Sequence, residues 1–388
     1  MPFPIDKTHT TVPAAHGRDR HTGGNGTLHV NALSKRGTGL AAAGLLTAAA
    51  CLSAATAAPA KADTVVPQQE ISIPAYIYIA PNGSNLGDWQ RILDAASPDP
   101  TGGASAPLRT VVVNFGSPGG PGTADQPNVD VNKAMIKALR GLGVTVAGYV
   151  DTGYFSRNPW QGPLPGEPTN PTDWLTRVNT QTDAWYTIYK GSGLNGIFFD
   201  RAYNGLTKTP GAVDCTGAAD YAAARQHIQT QWDPNAFVVA NAGSITPQCY
   251  ADQADQVVTF EGTLAGYKSY QIPDGTAYAW MKDPANAARQ WHLVWNACPT
   301  PNTVPAFVPP TNLPPGTPVP TTTTDCAGEI KAAVAHSRQV NAGDVYVTTL
   351  DQNGLAGDAA STWKSVGNPW AALTTYPSWS SLVAAVKS

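Results

Sequence analysis

Charged residues are scarce in this sequence. Asp, Glu, Lys and Arg make up 13% of its 388 residues, about half of the ~25% usual in globular domains. The surface must therefore rest on neutral polar side chains and on loops shaped by 37 Gly and 34 Pro, a composition common in extracellular proteins. Histidine is almost missing beyond residue 62. Only His227, His292 and His336 remain, too widely spaced for a zinc signature. No G-x-G-x-x-G follows the first strand-like run, and the Gly-rich stretch 116–122 (GSPGGPG) lacks the Lys and Ser/Thr of a phosphate loop. Nothing here calls for a metal or another cofactor.

A long apolar run is also absent. Leu40–Ala50 continues weakly to Ala58, which is too short and too Ala-rich for a span of ~20 apolar residues. Lys35-Arg36 precede the run and Ala60-Lys61-Ala62 follow it. A basic flank, a short apolar core and a small-residue exit make up a secretion signal. Residues 1–62 are therefore expected to be a signal and disordered leader, and residues 63–388 a folded, secreted domain with no stable membrane span. The leader holds six of the 24 Lys/Arg and two of the 27 Asp/Glu, so residues 63–388 carry a net charge of −7. That argues against a nucleic-acid partner, which demands a basic patch. Oligomeric state leaves no trace in the sequence.

Four cysteines follow the leader: Cys215, Cys249, Cys298 and Cys326. An even count behind an export signal predicts two disulfides. Three pairings are possible. Cys215–Cys249 with Cys298–Cys326 is favoured, because the second bridge would clamp the base of the Pro/Thr-rich insertion 299–324.

Apolar runs alternate with helical patterns along the domain. Strands are expected at 71–79, 108–115, 145–152, 196–201, 236–242, 256–262, 291–297 and 344–350. Helices are expected near 88–96, 131–142, 171–189, 218–231, 247–253, 284–290, 326–341 and 379–387. Val, Ile, Phe and Tyr fill the runs, and Gly, Pro, Asn and Asp bound them. Eight strand–helix pairs in order predict an α/β fold, a single (β/α)8 TIM-type barrel.

In such barrels chemistry sits at the carboxyl ends of the strands. The polar residues there are Asn114, Asp151, Asp200, Arg201, Asn241, Glu261, Asn296 and Asp351. Asp200 and Glu261 each follow a Phe where a strongly apolar run stops, and a charge there faces a pocket or carries a desolvation cost. Two carboxyl groups across a pocket suit glycoside cleavage, one protonating the leaving oxygen and the other attacking the sugar or activating water. Tyr76, Tyr78, Tyr149, Tyr154, Trp160, Trp280 and Trp295 lie at or near strand ends and offer flat faces for sugars. Trp89, Trp185 and Trp363 read as packing residues.

Seven segments carry a resemblance: PAYIYIAP (74–81), VVVNFGSPGGPG (111–122), VAGYVDTGYFSR (146–157), GLNGIFFDRA (193–202), VVANAGS (238–244), VVTFEG (257–262) and DVYVTTL (344–350). In this order the chain resembles the spherulin-4 family of secreted barrel glycoside hydrolases. The resemblance implies an extracellular polysaccharide substrate containing galactose and N-acetylgalactosamine, with Asp200 and Glu261 as the catalytic acids. It implies sugar contacts at Asp151, and the strand-end reading adds Tyr78, Asn114, Tyr154, Arg201, Asn241, Trp295 and Asn296. One departure matters. The family's Asp-Glu pair is Asp200-Arg201 here, a permanent cation in place of a carboxylate. If Arg201 turned inward it would depress the pKa of Asp200. The alternative function is then a catalytically inactive carbohydrate-binding barrel.

Overall fold

Each of the eight apolar runs forms a parallel strand: β1 (Glu70–Ala75), β2 (Leu108–Val113), β3 (Thr145–Asp151), β4 (Gly196–Asp200), β5 (Phe237–Asn241), β6 (Gln256–Thr263), β7 (Gln290–Trp295) and β8 (Asp344–Val347). Every strand pairs with the next in sequence. β8 returns to β1 through Glu70–Asp344 and Ile71–Val345, which closes a (β/α)8 barrel. This computed structural model describes residues 69–83, 86–97, 108–116, 119–297, 326–350 and 378–388. The leader, the insertion 299–324, Cys298, Asp351 and Trp363 lie outside the described residues.

Among the described residues the helices are α1 (Gly87–Ala96), α2 (Val129–Gly141), α3 (Pro171–Tyr189), α4 (Ala218–Gln231), α5 (Gln248–Ala251), α6 (Leu264–Tyr267), α7 (Ala279–Lys282), α8 (Cys326–Gln339) and α9 (Ser378–Lys387). None is long and apolar enough to cross a membrane. The first strand ends at Ala75 rather than at Ile79, because the Tyr76 amide turns back to donate to the Pro74 carbonyl at 3.1 Å.

α3 shows how local chemistry sets the wall. Asn170 caps it, accepting from the Asp173 amide at 3.0 Å, and Pro171 fits the first turn. Trp174, Val178, Thr182, Trp185, Tyr186 and Tyr189 then recur at helical spacing and are buried. The helix lies close to β3 because Gly148 has no side chain. A Cβ there would fall 2.4 Å from the Trp185 ring. Trp185 Nε1 donates to the Tyr149 carbonyl at 2.7 Å, so the tryptophan also steadies a strand that bears on the site.

β6 carries a bulge. Val258 is opposite Trp291 and Phe260 is opposite the very next residue, His292. One extra residue, Thr259, is inserted, and it turns toward the helices, where its hydroxyl meets His292 Nε2 at 3.1 Å. Simple alternation from inward-facing Val258 would send Phe260 in and Glu261 out. With the insertion, Phe260 packs outward against Tyr267 and Tyr270, and Glu261 points into the barrel.

Outside β6 and β7 lies a buried polar cluster. His292 Nδ1 meets the Tyr267 hydroxyl at 2.7 Å, the His336 ring packs on Tyr267, and Lys268 pairs with Glu329 at 2.9 Å. Burial lowers both histidines, His336 to about 4. A basic group lowered on folding stabilises above its unfolded pKa of ~6.5 and loses that contribution as pH falls through its folded pKa. Asp344 on the barrel floor is pushed up to about 7 by burial and acts in the opposite sense. Wild-type stability is therefore expected to fall by about 3 kcal/mol more than that of His336→Gln between pH 6.5 and pH 4. Urea denaturation of both proteins across that range measures the difference, and parallel curves would contradict it.

Cys215 and Cys249 are joined, with Cα atoms 6.0 Å apart, tying the segment before α4 to α5. Cys326 is disulfide-bonded as well.

Candidate active site

Registered neighbours in a parallel sheet point to the same face. Asp151 is opposite Asp200, and Tyr149 is opposite Phe198. Phe198 meets Trp291 edge-on at 5.8 Å inside the barrel, so Tyr149, Asp151 and Asp200 all rise from the inner wall at its carboxyl end. Asn241 ends β5 on the same face, and the bulge brings Glu261 there from β6.

The two acids predicted from the sequence meet at one amide. Asn241 Nδ2 donates to Asp200 Oδ1 at 2.8 Å and to Glu261 Oε2 at 2.6 Å. The Tyr149 hydroxyl donates to Asp200 Oδ2 at 3.0 Å. Both oxygens of Asp200 are thus oriented by neutral donors. Burial, then the charge of Asp151, lifts Asp200 above the ordinary carboxylate range, while the Arg201 amide, Tyr149 and Asn241 pull the other way. The phenols of Tyr76 and Tyr154 are also raised, first by burial and next by the charge of Asp200, with Glu261 adding to it. Tyr76 and Tyr149 meet edge-on at 5.3 Å. The result is an acidic pocket walled by three tyrosines.

Arg201 does not face the pair. It has φ 48°, and its side chain runs to Asp151 and Glu167. Its Nε and Nη2 bond both oxygens of Asp151 at 2.7 and 2.6 Å, and Nη2 also reaches Glu167. The guanidinium lies 5.8 Å from the ring centres of both Tyr154 and Trp174. Burial works against its charge, but Asp151 and Glu167 outweigh burial and hold it protonated. With its guanidinium committed to Asp151 and Glu167, Arg201 does not adopt the inward-pointing case, in keeping with an Asp200 that is raised rather than depressed.

The turn after β3 is left-handed throughout. Gly153, Tyr154, Phe155 and Ser156 have φ of 51°, 57°, 48° and 56°. Each non-glycine residue there costs about 1 kcal/mol or more. The Tyr154 amide donates to the Arg201 carbonyl at 2.8 Å, and buried Phe155 packs edge-on to Tyr221 at 4.8 Å. Gly153 is required because a Cβ there would fall 2.0 Å from the Trp174 ring.

The remaining candidates are more dispersed. Asn114 Oδ1 accepts from the Gly120 amide at 2.7 Å and holds the Gly-rich loop, whose Gly119 lies against Tyr149. Trp295 is half-buried at the end of β7, in register with Thr263. Asn296 has φ 53°, and its amide donates to the Leu350 carbonyl at 2.7 Å. Tyr78 and Trp160 are exposed. Trp280 is a correction: it is buried in α7, with Nε1 donating to the Thr246 carbonyl at 2.9 Å, and is a packing residue. Its place was misread because a long connection separates the end of β6 from α7. Glu167 and Trp174 escaped the sequence reading. The lone acid in the otherwise uncharged stretch 162–168 (GPLPGEP) was the available signal for Glu167.

The fold and the site define a closed (β/α)8 barrel protein with paired carboxylates and tyrosines at the carboxyl ends of its strands, the face on which such barrels carry their chemistry. The sequence profile of spherulation-specific family 4 matches residues 70–376, and the chain belongs to that family. Among solved structures it is similar to Sph3 of Aspergillus clavatus in complex with GalNAc, with TM-score 0.52 and 22% identity over 83% of this chain and 98% of that one. A GH113 beta-1,4-mannanase matches with TM-score 0.42 and 11% identity over 82% of this chain and 100% of that one. The chitinase RmChi1 of Rhizomucor miehei matches with TM-score 0.39 and 12% identity over 74% and 98%. Among curated proteins none matches.

Proposed function

We propose that the protein is a secreted glycoside hydrolase that cuts within a polysaccharide containing N-acetylgalactosamine or galactosamine. The observation that carries this reading is the single Asn241 amide bonded to both Asp200 and Glu261. Two bonds from one amide nitrogen keep the bridged oxygens closer than about 5.4 Å, below the gap that a water-activating pair needs. Retaining glycosidases keep their carboxyls ~5–5.5 Å apart, whereas inverting ones leave ~6.5–9.5 Å for a water. Asp200, with both oxygens oriented, is the nucleophile that attacks the anomeric carbon. Glu261 protonates the departing oxygen and then takes a proton from the incoming water. Tyr76, Tyr149 and Tyr154 supply the faces and hydroxyls against which a sugar ring packs.

The position of Arg201 favours hydrolysis over an inactive binding barrel, since its charge is engaged by Asp151 and Glu167 and leaves the pair intact. GalNAc, present with Sph3, motivates the choice of sugar. The leader pattern supports action outside the cell.

Azide separates the roles. In Glu261→Ala it is expected to restore turnover and leave as a glycosyl azide of retained configuration. In Asp200→Ala the azide product is expected to be inverted. If the wild type releases no reducing ends from any amino-sugar polymer, the hydrolase reading fails.

A further inference from the structure

We propose that Arg201 is a positioning residue for the reaction above: its guanidinium, clamped on Asp151 and Glu167 between the rings of Tyr154 and Trp174, holds the left-handed turn 153–156 that carries Tyr154 to the carboxylate pair. The proposal rests on the hydrolase reading for its kinetic consequences, and on geometry alone for its structural ones.

Four consecutive residues with positive φ do not persist by their own preference. Something around them must specify the conformation. Around this turn, the attachments converge on Arg201. Its carbonyl accepts from the Tyr154 amide at 2.8 Å and from the Thr152 hydroxyl at 2.9 Å. Its side chain grips Asp151, whose Oδ1 also accepts from the Gly153 amide at 2.9 Å. The same guanidinium reaches Glu167, whose other oxygen accepts from the Leu164 amide at 2.8 Å. The far side of the connection is closed by Trp174 Nε1, which donates to the Ser156 hydroxyl at 3.0 Å and the Pro168 carbonyl at 2.9 Å. One cation thus joins the end of β3, the turn and the stretch 164–168 to the residue beside Asp200.

A planar fork suits this task better than an ammonium group. It bonds two carboxylates at once and stacks between two rings, which Lys does not reproduce. The cation also balances charge. Asp151 and Asp200 are registered neighbours on one wall, and without Arg201 the carboxylate of Asp151 would act on Asp200 with no compensating cation at that point. The departure from the acidic residue expected at this position therefore supports the site.

The test uses the full-length protein and the variants Arg201→Met, Arg201→Lys and Arg201→Met with Asp151→Asn. Amide hydrogen exchange reads the turn independently of any activity. In Arg201→Met the amides of 154–157 are expected to exchange at least ~10-fold faster, with those of β4 and β5 unchanged. Circular dichroism confirms that each variant folds. Should Arg201→Met not fold, Glu167→Gln carries the same exchange measurement with the cation in place. The second readout is the pH profile of kcat/KM on the polysaccharide. Its acid limb is expected to move up by about one pH unit in Arg201→Met, to stay near wild type in Arg201→Lys, and to return in the double variant. An unchanged turn in the exchange data overturns the positioning role even if the wild type proves inactive. Faster exchange in a protein that hydrolyses nothing upholds the positioning role while the hydrolase reading fails. Faster exchange with an unmoved acid limb in an active enzyme overturns the charge-balancing part.

Discussion

Asp200→Asn is expected to lower kcat on an amino-sugar polysaccharide by about 10³-fold or more, with KM nearly unchanged, and Glu261→Gln by about 10²–10⁴-fold. The substitutions keep volume and remove only the ionisable oxygen. At position 200 the loss is compounded. Both oxygens accept from donors, the Tyr149 hydroxyl and the Asn241 amide. An asparagine can present only one oxygen, so its own NH2 must face one of those donors. Initial rates of reducing-end release, over a range of polymer concentrations, check both values. Rates within fivefold of wild type for either variant would remove the carboxylate pair from the chemistry.

Asn241→Leu is expected to be nearly as damaging, at about 10²–10³-fold in kcat/KM. Leucine matches the shape of asparagine but donates nothing. The two carboxylates would then sit close together with no N–H between them. Like charges at that range resist joint ionisation, so one of them would hold its proton to higher pH. The acid limb of the rate profile should shift upward as well as the maximum falling. Asn241→Asp should be worse at neutral pH and recover in part on acidification, as the third carboxyl becomes able to donate. A pH–rate comparison of the three proteins distinguishes lost hydrogen bonding from simple disruption, which would lower the rate equally at every pH.

The barrel was legible because each strand announces itself locally. Runs such as 196–201 and 236–242 are apolar, β-branched or aromatic, and end at Gly, Asn or Asp. α3 was readable to the residue, since Asn170-Pro171 starts it and its aromatic stripe keeps helical spacing. Asp200 and Asn241 were readable because they end such strands, where barrel side chains meet a pocket. What escaped was set by contacts between distant segments. The turn 153–156 has one glycine, and nothing in GYFS predicts left-handed geometry for the three residues that follow it. The partnership of Arg201 with Glu167 spans 34 positions and depends on where the connection after β3 folds back. Trp280 looked like a strand-end residue because the span between β6 and β7 is broken into short helical turns rather than one clear helix.

Glu261 ends an apolar run as a site acid does, yet simple alternation along β6 would place it on the wrong side. Its aim depends on the bulge at Thr259, which lets two successive residues face outward. The consequence reaches beyond this chain. A relative of equal length whose strand ran as a regular ladder, without the bulge, would still display a glutamate after a phenylalanine, and a residue-by-residue inspection would pass it as intact. Its acid would nevertheless stand behind the wall, among the helices. Loss of activity in such a lineage would be written in the pairing of the strand, with every reactive group still present.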